Sequence, residues 1–391
     1  MTAAEQKRSS ALKFILCLGV VSFFADMTYE GAHSIVGPFL KHLHGTALEV
    51  AFVAGVGEML AASLRLFTGK LADRTRAYWT LAIAGYAVNL IVVPAMALAD
   101  SWQSAAWLVV AERCGKALRG PARDVLLSEA TAEVGHGWGF GIHAAFDQAG
   151  ALAGPLLIVG AVAHYGDFGP AFLWLAAPAA GAIAALLVAR FLNPGRGENA
   201  PRRVDQPLPR VFWHYSLAAG LLATGFVDFA VLSFHIETTG LAKPASIPLL
   251  YAGAMAMNGI TALIFGKLYD RIGITALAIG MVISALALPL GFLGGTSALI
   301  AAVGCWGTGL GAQDACLRSG ISQVVSMNKR GGAFGYFNGI YGVMWFLGSL
   351  VMGFCYDKGA LTALVAFGIA AQLAGAGLFL GLRRPLEAAH Q

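Results

Sequence analysis

Twelve stretches of mostly apolar residues follow one another along this 391-residue chain, each long enough to supply the ~20 residues a helix needs to cross a bilayer core. They run over 12–40, 47–68, 78–98, 103–125, 139–163, 169–192, 211–238, 245–265, 274–293, 296–325, 333–356 and 360–382. In lipid, backbone N–H and C=O groups must pair within the protein, so only helices and closed barrels span a membrane. Runs of this length are helical. Charged residues make up 12% of the chain, against roughly 25% in a soluble domain. So few charges cannot cover a soluble surface, which excludes that class. Glycine, at 50 residues, is nearly twice its usual share of about 7%, as expected where helices approach closely in lipid. The fold class expected is all-α integral membrane with twelve transmembrane helices.

The chain repeats itself. Gly69-Lys70-Leu71-Ala72-Asp73-Arg74 returns 197 positions later as Gly266-Lys267-Leu268-Tyr269-Asp270-Arg271, each a charged knot between apolar runs. Asp26 and His33 on run 1 match Asp228 and His235 on run 7, Arg123 matches Arg318, and Gly154 matches Gly348. Matches at slowly drifting offsets indicate two related six-helix halves. Residues 1–192 form the first half and 211–391 the second. Between them, 193–210 holds four prolines and four arginines and reads as a water-exposed cytoplasmic linker.

Lysine and arginine set the orientation. Seventeen of them lie at the termini, the even-numbered loops and the linker, against three (Lys41, Lys243, Lys358) on the other side. Both termini are therefore expected in the cytoplasm of a cell whose inner (plasma) membrane the chain crosses. Lys7, Arg8 and Lys13 precede a run too long, and too charged at Asp26 and Glu30, for a cleaved signal peptide. The five cysteines all fall in apolar runs, so no disulfide and no metal cluster is expected.

Apart from Lys13 and Arg190 near run ends, six cations lie inside the runs: Arg65, Arg113, Lys116, Arg119, Arg123 and Arg318. Runs 3, 9 and 12 contain no Asp, Glu, Lys, Arg or His and run 6 only Arg190 near its end, whereas runs 1, 4, 7 and 10 all carry such residues. Charge in hydrocarbon costs at least about 2.5–3.5 kcal/mol per residue, so these groups face protein or a wet cavity. Asp26, Glu30 and His33 share one helix face, as do Glu112, Lys116, Arg119 and Arg123, while His143 and Asp147 form an i,i+4 pair. Candidate substrate or proton residues are Asp26, Glu30, His33, Glu112, Arg113, Lys116, Arg119, Asp147, Asp228, His235 and Asp314. Each has a plainer reading. Arg119, Arg123 and Arg318 can simply pair with Asp73 and Asp270 near helix ends, Arg65 can reach back to the surface, and His143 with Asp147 can be a structural pair. Glu58 is a lone carboxylate on run 2 and is open to either reading.

With these residues in view, the chain resembles the major facilitator superfamily of secondary transporters. The first knot, with Arg76 close behind, is similar to the family's loop 2–3 signature, although Thr75 replaces its usual glycine. Arg113 resembles the family's helix 4 arginine. Gly150-Ala151-Leu152-Ala153-Gly154-Pro155 resembles the helix 5 motif of antiporters, but Leu157 and Ile158 stand where further glycines are usual. The resemblance implies two six-helix bundles around a cavity lined by helices 1, 4, 7 and 10, opening to each side in turn. It implies a gate built from Gly69, Asp73, Arg74, Arg123, Asp270, Arg271 and Arg318, and close helix packing at Gly150, Gly154 and Pro155.

The function expected is alternating-access transport of a small organic anion or zwitterion, coupled to protons. Asp26 or Glu30 is a candidate to load and release the proton, and Arg113 and Lys116 to hold the anionic group. Proton-driven efflux of lipophilic cations is the alternative, with divalent metal export through Asp26, Glu30, His33, Asp228 and His235 ranked below it. An intramembrane enzyme would need a nucleophile with a paired base, and no such constellation stands in the sequence. Beyond the proton no cofactor is expected. The partners expected are the substrate and the bilayer, with no nucleic acid, and the working unit a monomer.

Overall fold

A computed structural model of the protein describes residues 3–134, 136–193, 208–325 and 330–382. Among them there are only helices and their connections: α1 (Ala3–His33), α2 (Val36–His42), α3 (Ala47–Thr75), α4 (Tyr78–Ala95), α5 (Trp102–Val134), α6 (His136–Tyr165), α7 (Phe168–Ala171) and α8 (Ala176–Leu192), then α9 (Arg210–Thr224), α10 (Phe229–Thr239), α11 (Ile247–Ile272), α12 (Thr275–Ala285), α13 (Ala287–Phe292), α14 (Thr296–Val324), α15 (Arg330–Asp357) and α16 (Leu361–Gly381). Ten helical segments among the described residues are long and apolar enough to cross a membrane. The other two expected crossings, α5 with 33 residues and α14 with 29, have the length but carry charge in mid-helix. The fold is all-α and multi-pass.

Three of the expected runs are broken rather than continuous, and a fourth, run 6, passes from α7 to α8 through a 3-10 stretch at Phe172–Leu175. Run 1 bends at Ser34–Ile35 between α1 and α2, and run 9 divides at Leu286 between α12 and α13. Run 7 stops at Gly225 and restarts at Phe229, where the Asp228 carboxylate accepts the Ala230 N–H at 2.8 Å as an N-cap. A helix restarting inside an apolar run leaves backbone donors without intrahelical partners, and an aspartate at the restart meets one of them.

The chain divides into two compact units. The first comprises Met1–His33 with Leu64–Arg202, and the second Ser34–Ser63 with Arg203–Gln391. The boundary differs from the sequence halves at one place: residues 34–63 group with the second unit. In the first unit α1 packs on α6 and α8, and α4 on α5. A Cβ added at Gly150 would fall on the Phe23 carbonyl oxygen, and one at Gly154 on that of Met27. These glycines let α6 lie against the α1 backbone. Gly85 and Gly115 do the same for α4 and α5, where a Cβ at Gly85 would stand 2.5 Å from the Arg119 nitrogen. The apolar core of this unit runs from Phe14, Ile15 and Leu18 through Tyr86 and Leu90 to Leu126 and Leu186.

In the second unit α11 packs along α14, and α9 against α15 and α16. Its core gathers Phe212, Tyr215, Leu222, Phe265, Met281, Ile321 and Phe379. Gly348 of α15 presses on the Thr224 carbonyl, as Gly154 presses on that of Met27 in the first unit. The residues of the linker from 194 to 207 lie outside the described chain.

Candidate functional site: a cationic helix face in the first unit

The close α4–α5 crossing determines what α5 can carry. With Gly85 against Gly115, the polar groups of the two helices come within hydrogen-bond reach. Glu112 and Arg113 are 3% and 5% exposed, and both need partners at that depth. Glu112 Oε2 lies 3.3 Å from Arg113 Nε. The fully buried Asn89 of α4 donates its amide to the Glu112 carbonyl at 3.1 Å and to its Oε1. Arg113 in turn donates Nη1 to the Tyr29 hydroxyl of α1.

Tyr29 organises the next step. The Arg113 guanidinium carbon lies 4.7 Å from its ring centroid, and Lys116 Nζ lies 3.4 Å from the same centroid. Both are cation–π contacts, and two cations share one phenol. One turn further on, the Arg119 guanidinium carbon lies 4.4 Å from the Tyr86 ring centroid, and its Nη2 reaches Asp26 Oδ1 of α1 at only 3.9 Å. Arg119 Nε and the Tyr86 hydroxyl are buried with no hydrogen-bond partner among the described residues.

A second group continues the band. His143 and Asp147 of α6 stand 3.3 Å apart, and His143 Nε2 is 2.9 Å from Ser22 Oγ of α1. Arg123 Nη1 reaches the same hydroxyl at 3.5 Å, while its Nη2 pairs with Asp124 at 2.9 Å. From Arg123 to Glu112 the band follows α5 for eleven residues, about 16 Å at the rise of an α-helix. All of it belongs to the first unit.

The structure thus brings together Asp26, Glu112, Arg113, Lys116, Arg119, Arg123 and Asp147. Glu30 and His33 stay on α1, 4.0 Å from one another. Three candidates belong to the second unit. Asp228 caps α10, His235 bonds the Tyr356 hydroxyl at 2.9 Å and stacks on Phe292, and Asp314 follows Gln313, whose Oε1 accepts from Tyr341 at 2.5 Å. Of the gate residues, Gly69 is buried in α3, whereas Arg74, Asp270, Arg271 and Arg318 are exposed. The Asp73 side chain, and with it the expected Asp73–Arg123 pair, lies outside the described residues. Five contributors were not singled out from sequence: Ser22, Tyr29, Tyr86, Asn89 and Asp124. Tyr29 does follow Asp26 by three positions, and Asn89 is the one amide in α4.

The profile of the Major Facilitator Superfamily matches residues 18–349, taking in this whole band. The chain belongs to that superfamily. A protein of Mycobacterium tuberculosis described only as uncharacterised is 38% identical, covering 98% of this chain and 96% of its own length. Solved superfamily structures share the fold at far lower identity. The peptide transporter POT, as a variant in complex with sulfate, superposes with a TM-score of 0.78 at 13% identity, over 100% of this chain and 99% of its own. The nucleoside transporter NupG does so with a TM-score of 0.71 at 13% identity, over 97% and 99%. The expected fold class is therefore that of the superfamily.

Proposed function

We propose that this member of the superfamily is a proton-coupled, alternating-access carrier of a small organic anion or zwitterion. The observation that carries the reading is the pair of cations on Tyr29. Two like charges held on one ring repel one another, and an anion beside them relieves that repulsion. Arg113 presents a planar fork already fixed by Glu112 and Tyr29, which suits a carboxylate or a phosphate, and Lys116 adds a point charge. The POT structure holds sulfate, an anion, within the same fold.

The proton part of the reading rests on the carboxylates interleaved with those cations. Asp26 reaches Arg119 only loosely, and Asp147 is shared with His143. A proton taken up by Asp26 would release Arg119 toward a bound anion, which couples the two loads through one contact.

Thermal unfolding of the purified protein with matched carboxylate, zwitterionic amino acid and quaternary ammonium probes tests the reading. Carboxylates should stabilise the wild type, and Arg113→Gln or Lys116→Gln should weaken that binding by tenfold or more, the scale of one charge-assisted hydrogen bond. Stabilisation by quaternary ammonium alone, or anion binding that survives the double substitution, overturns it.

A further inference from the structure

An aromatic stack in the second unit carries hydrogen-bond donors that packing does not use. Phe337, Tyr341 and Trp345 recur every fourth residue on α15, and Trp306 and Gln313 stand seven apart on α14, so each set lies on one helix face. Phe226, in the break between α9 and α10, joins the two faces. Its ring centroid is 5.3 Å from that of Trp345 and 5.5 Å from that of Trp306. Along α15 the rings of Phe337 and Tyr341 stack at 27° with centroids 5.9 Å apart, and those of Tyr341 and Trp345 stand 5.8 Å apart at 43°. Rings at these separations attract one another through offset faces.

Two of these side chains bury an N–H group without an acceptor. Gln313 is 3% exposed and Trp345 8%, and neither Gln313 Nε2 nor Trp345 Nε1 has a hydrogen-bond partner among the described residues. Trp306 shows the opposite case in the same stack, its Nε1 donating to the Val227 carbonyl at 2.8 Å. An unmet buried donor costs about 1–3 kcal/mol. Packing has no use for the two that remain: phenylalanine offers a ring without the N–H, and methionine the length of glutamine without the amide. Tyr341 stands between them and is only half-buried. Its ring lies against that of Trp345, and its hydroxyl donates to Gln313 Oε1 at 2.5 Å. That bond fixes the oxygen end of the Gln313 amide and leaves Nε2 to donate elsewhere. The Asp314 and Glu58 carboxylates lie within electrostatic reach of the same hydroxyl. Ring faces, two fixed donors and carboxylate acceptors therefore meet around Tyr341.

We propose that this part of the second unit is a binding site for a planar heteroaromatic amide or lactam. The ring of such a molecule stacks on Tyr341 and Trp345, its carbonyl oxygen accepts from Gln313 Nε2 and Trp345 Nε1, and its own N–H meets Asp314 or Glu58. A saturated ring with the same polar groups loses the stacking, and a hydrocarbon ring leaves both donors unmet. The cations on Tyr29 play no part in this, so the site stands or falls separately from the anion reading.

Isothermal titration calorimetry of the purified full-length protein, with nicotinamide and uracil as probes, tests the proposal. Each probe is paired with a saturated counterpart, cyclohexanecarboxamide for nicotinamide and dihydrouracil for uracil. At least one planar probe should bind, and about tenfold or more tightly than its counterpart, the scale of one ring stacked on an aromatic side chain. Trp345→Phe keeps a ring and removes the N–H, and should weaken that binding by about three- to tenfold, the scale of one hydrogen bond. Gln313→Met should act in the same direction. Three results overturn the proposal: neither planar probe binds, each saturated counterpart binds as well as its planar partner, or Trp345→Phe leaves the affinity unchanged. Should Gln313→Met not fold, Trp345→Phe alone decides between these outcomes.

Discussion

Asn89 shows where a sequence stops being legible at the scale of one residue. The charged members of the band announce themselves, because Glu112, Arg113, Lys116 and Arg119 have no other business in an apolar run. An amide carries no such signal, and Tyr29 and Tyr86 read equally well as apolar packing. What makes these residues matter is the neighbour that the α4–α5 crossing brings to them. Asn89 is fully buried and its amide nitrogen serves Glu112 twice. Asn89→Leu would leave the Glu112 carboxylate without that donor in a site where it is 3% exposed. A lost buried hydrogen bond of this type costs about 1–3 kcal/mol, so the variant should melt clearly below the wild type in detergent. Equal melting temperatures would mean that Glu112 does not depend on Asn89.

Among elements, the long apolar runs were readable and their interruptions were not. Hydropathy records whether a stretch can lie in lipid and is indifferent to a bend between two apolar segments. Gly225 and Asp228 mark the break in run 7, yet aspartate in a membrane run reads as readily as a binding group. The structure uses it to begin α10. Glycine shows the same ambiguity in reverse, since 50 of them cannot all be contacts. Gly154 and Gly141 lie on one helix, α6, with opposite surroundings. A Cβ at Gly154 falls on the Met27 carbonyl, whereas one at Gly141 meets nothing within 4 Å. Gly154→Val should therefore push α6 off α1 and lower the melting temperature or the folded yield. Gly141→Ala should melt at or above the wild type, because alanine is worth roughly 0.5–1 kcal/mol over glycine inside a helix. Reversal of that order would show that α6 does not rest on α1 through Gly154. The match of Gly154 with Gly348, visible in sequence only as a repeated letter, has the same physical content in both units: a helix seated on a neighbouring carbonyl.

For the whole molecule the open question is how α5 crosses a bilayer at all. Its middle carries Glu112, Arg113, Lys116, Arg119 and Arg123, and each charge left in hydrocarbon costs at least about 2.5–3.5 kcal/mol. Five such costs exceed what the apolar residues of one helix return, so α5 alone is a poor membrane segment. The structure supplies what the isolated helix lacks. Asn89 and Tyr29 meet Glu112 and Arg113, Tyr86 and Asp26 meet Arg119, and Asp124 and Ser22 meet Arg123. The helix belongs in the membrane only as part of its unit. The twelve-crossing topology, and with it cytoplasmic placement of both termini, depends on α5 and α14 each crossing. Alkaline phosphatase is active only outside the cytoplasm, so fusions on either side of these helices read the crossing directly. We expect activity from fusions after Ala99 and Gly295, and none from fusions after Val134 and Val325. Sequential fusions lack the later helices, so the enzyme should also be inserted at these sites in the full-length chain. If both ends of α5 report the same side in the full-length insertions, α5 does not cross. The seventeen-to-three charge bias would then need another explanation, and a band built on α5 could not sit at membrane depth.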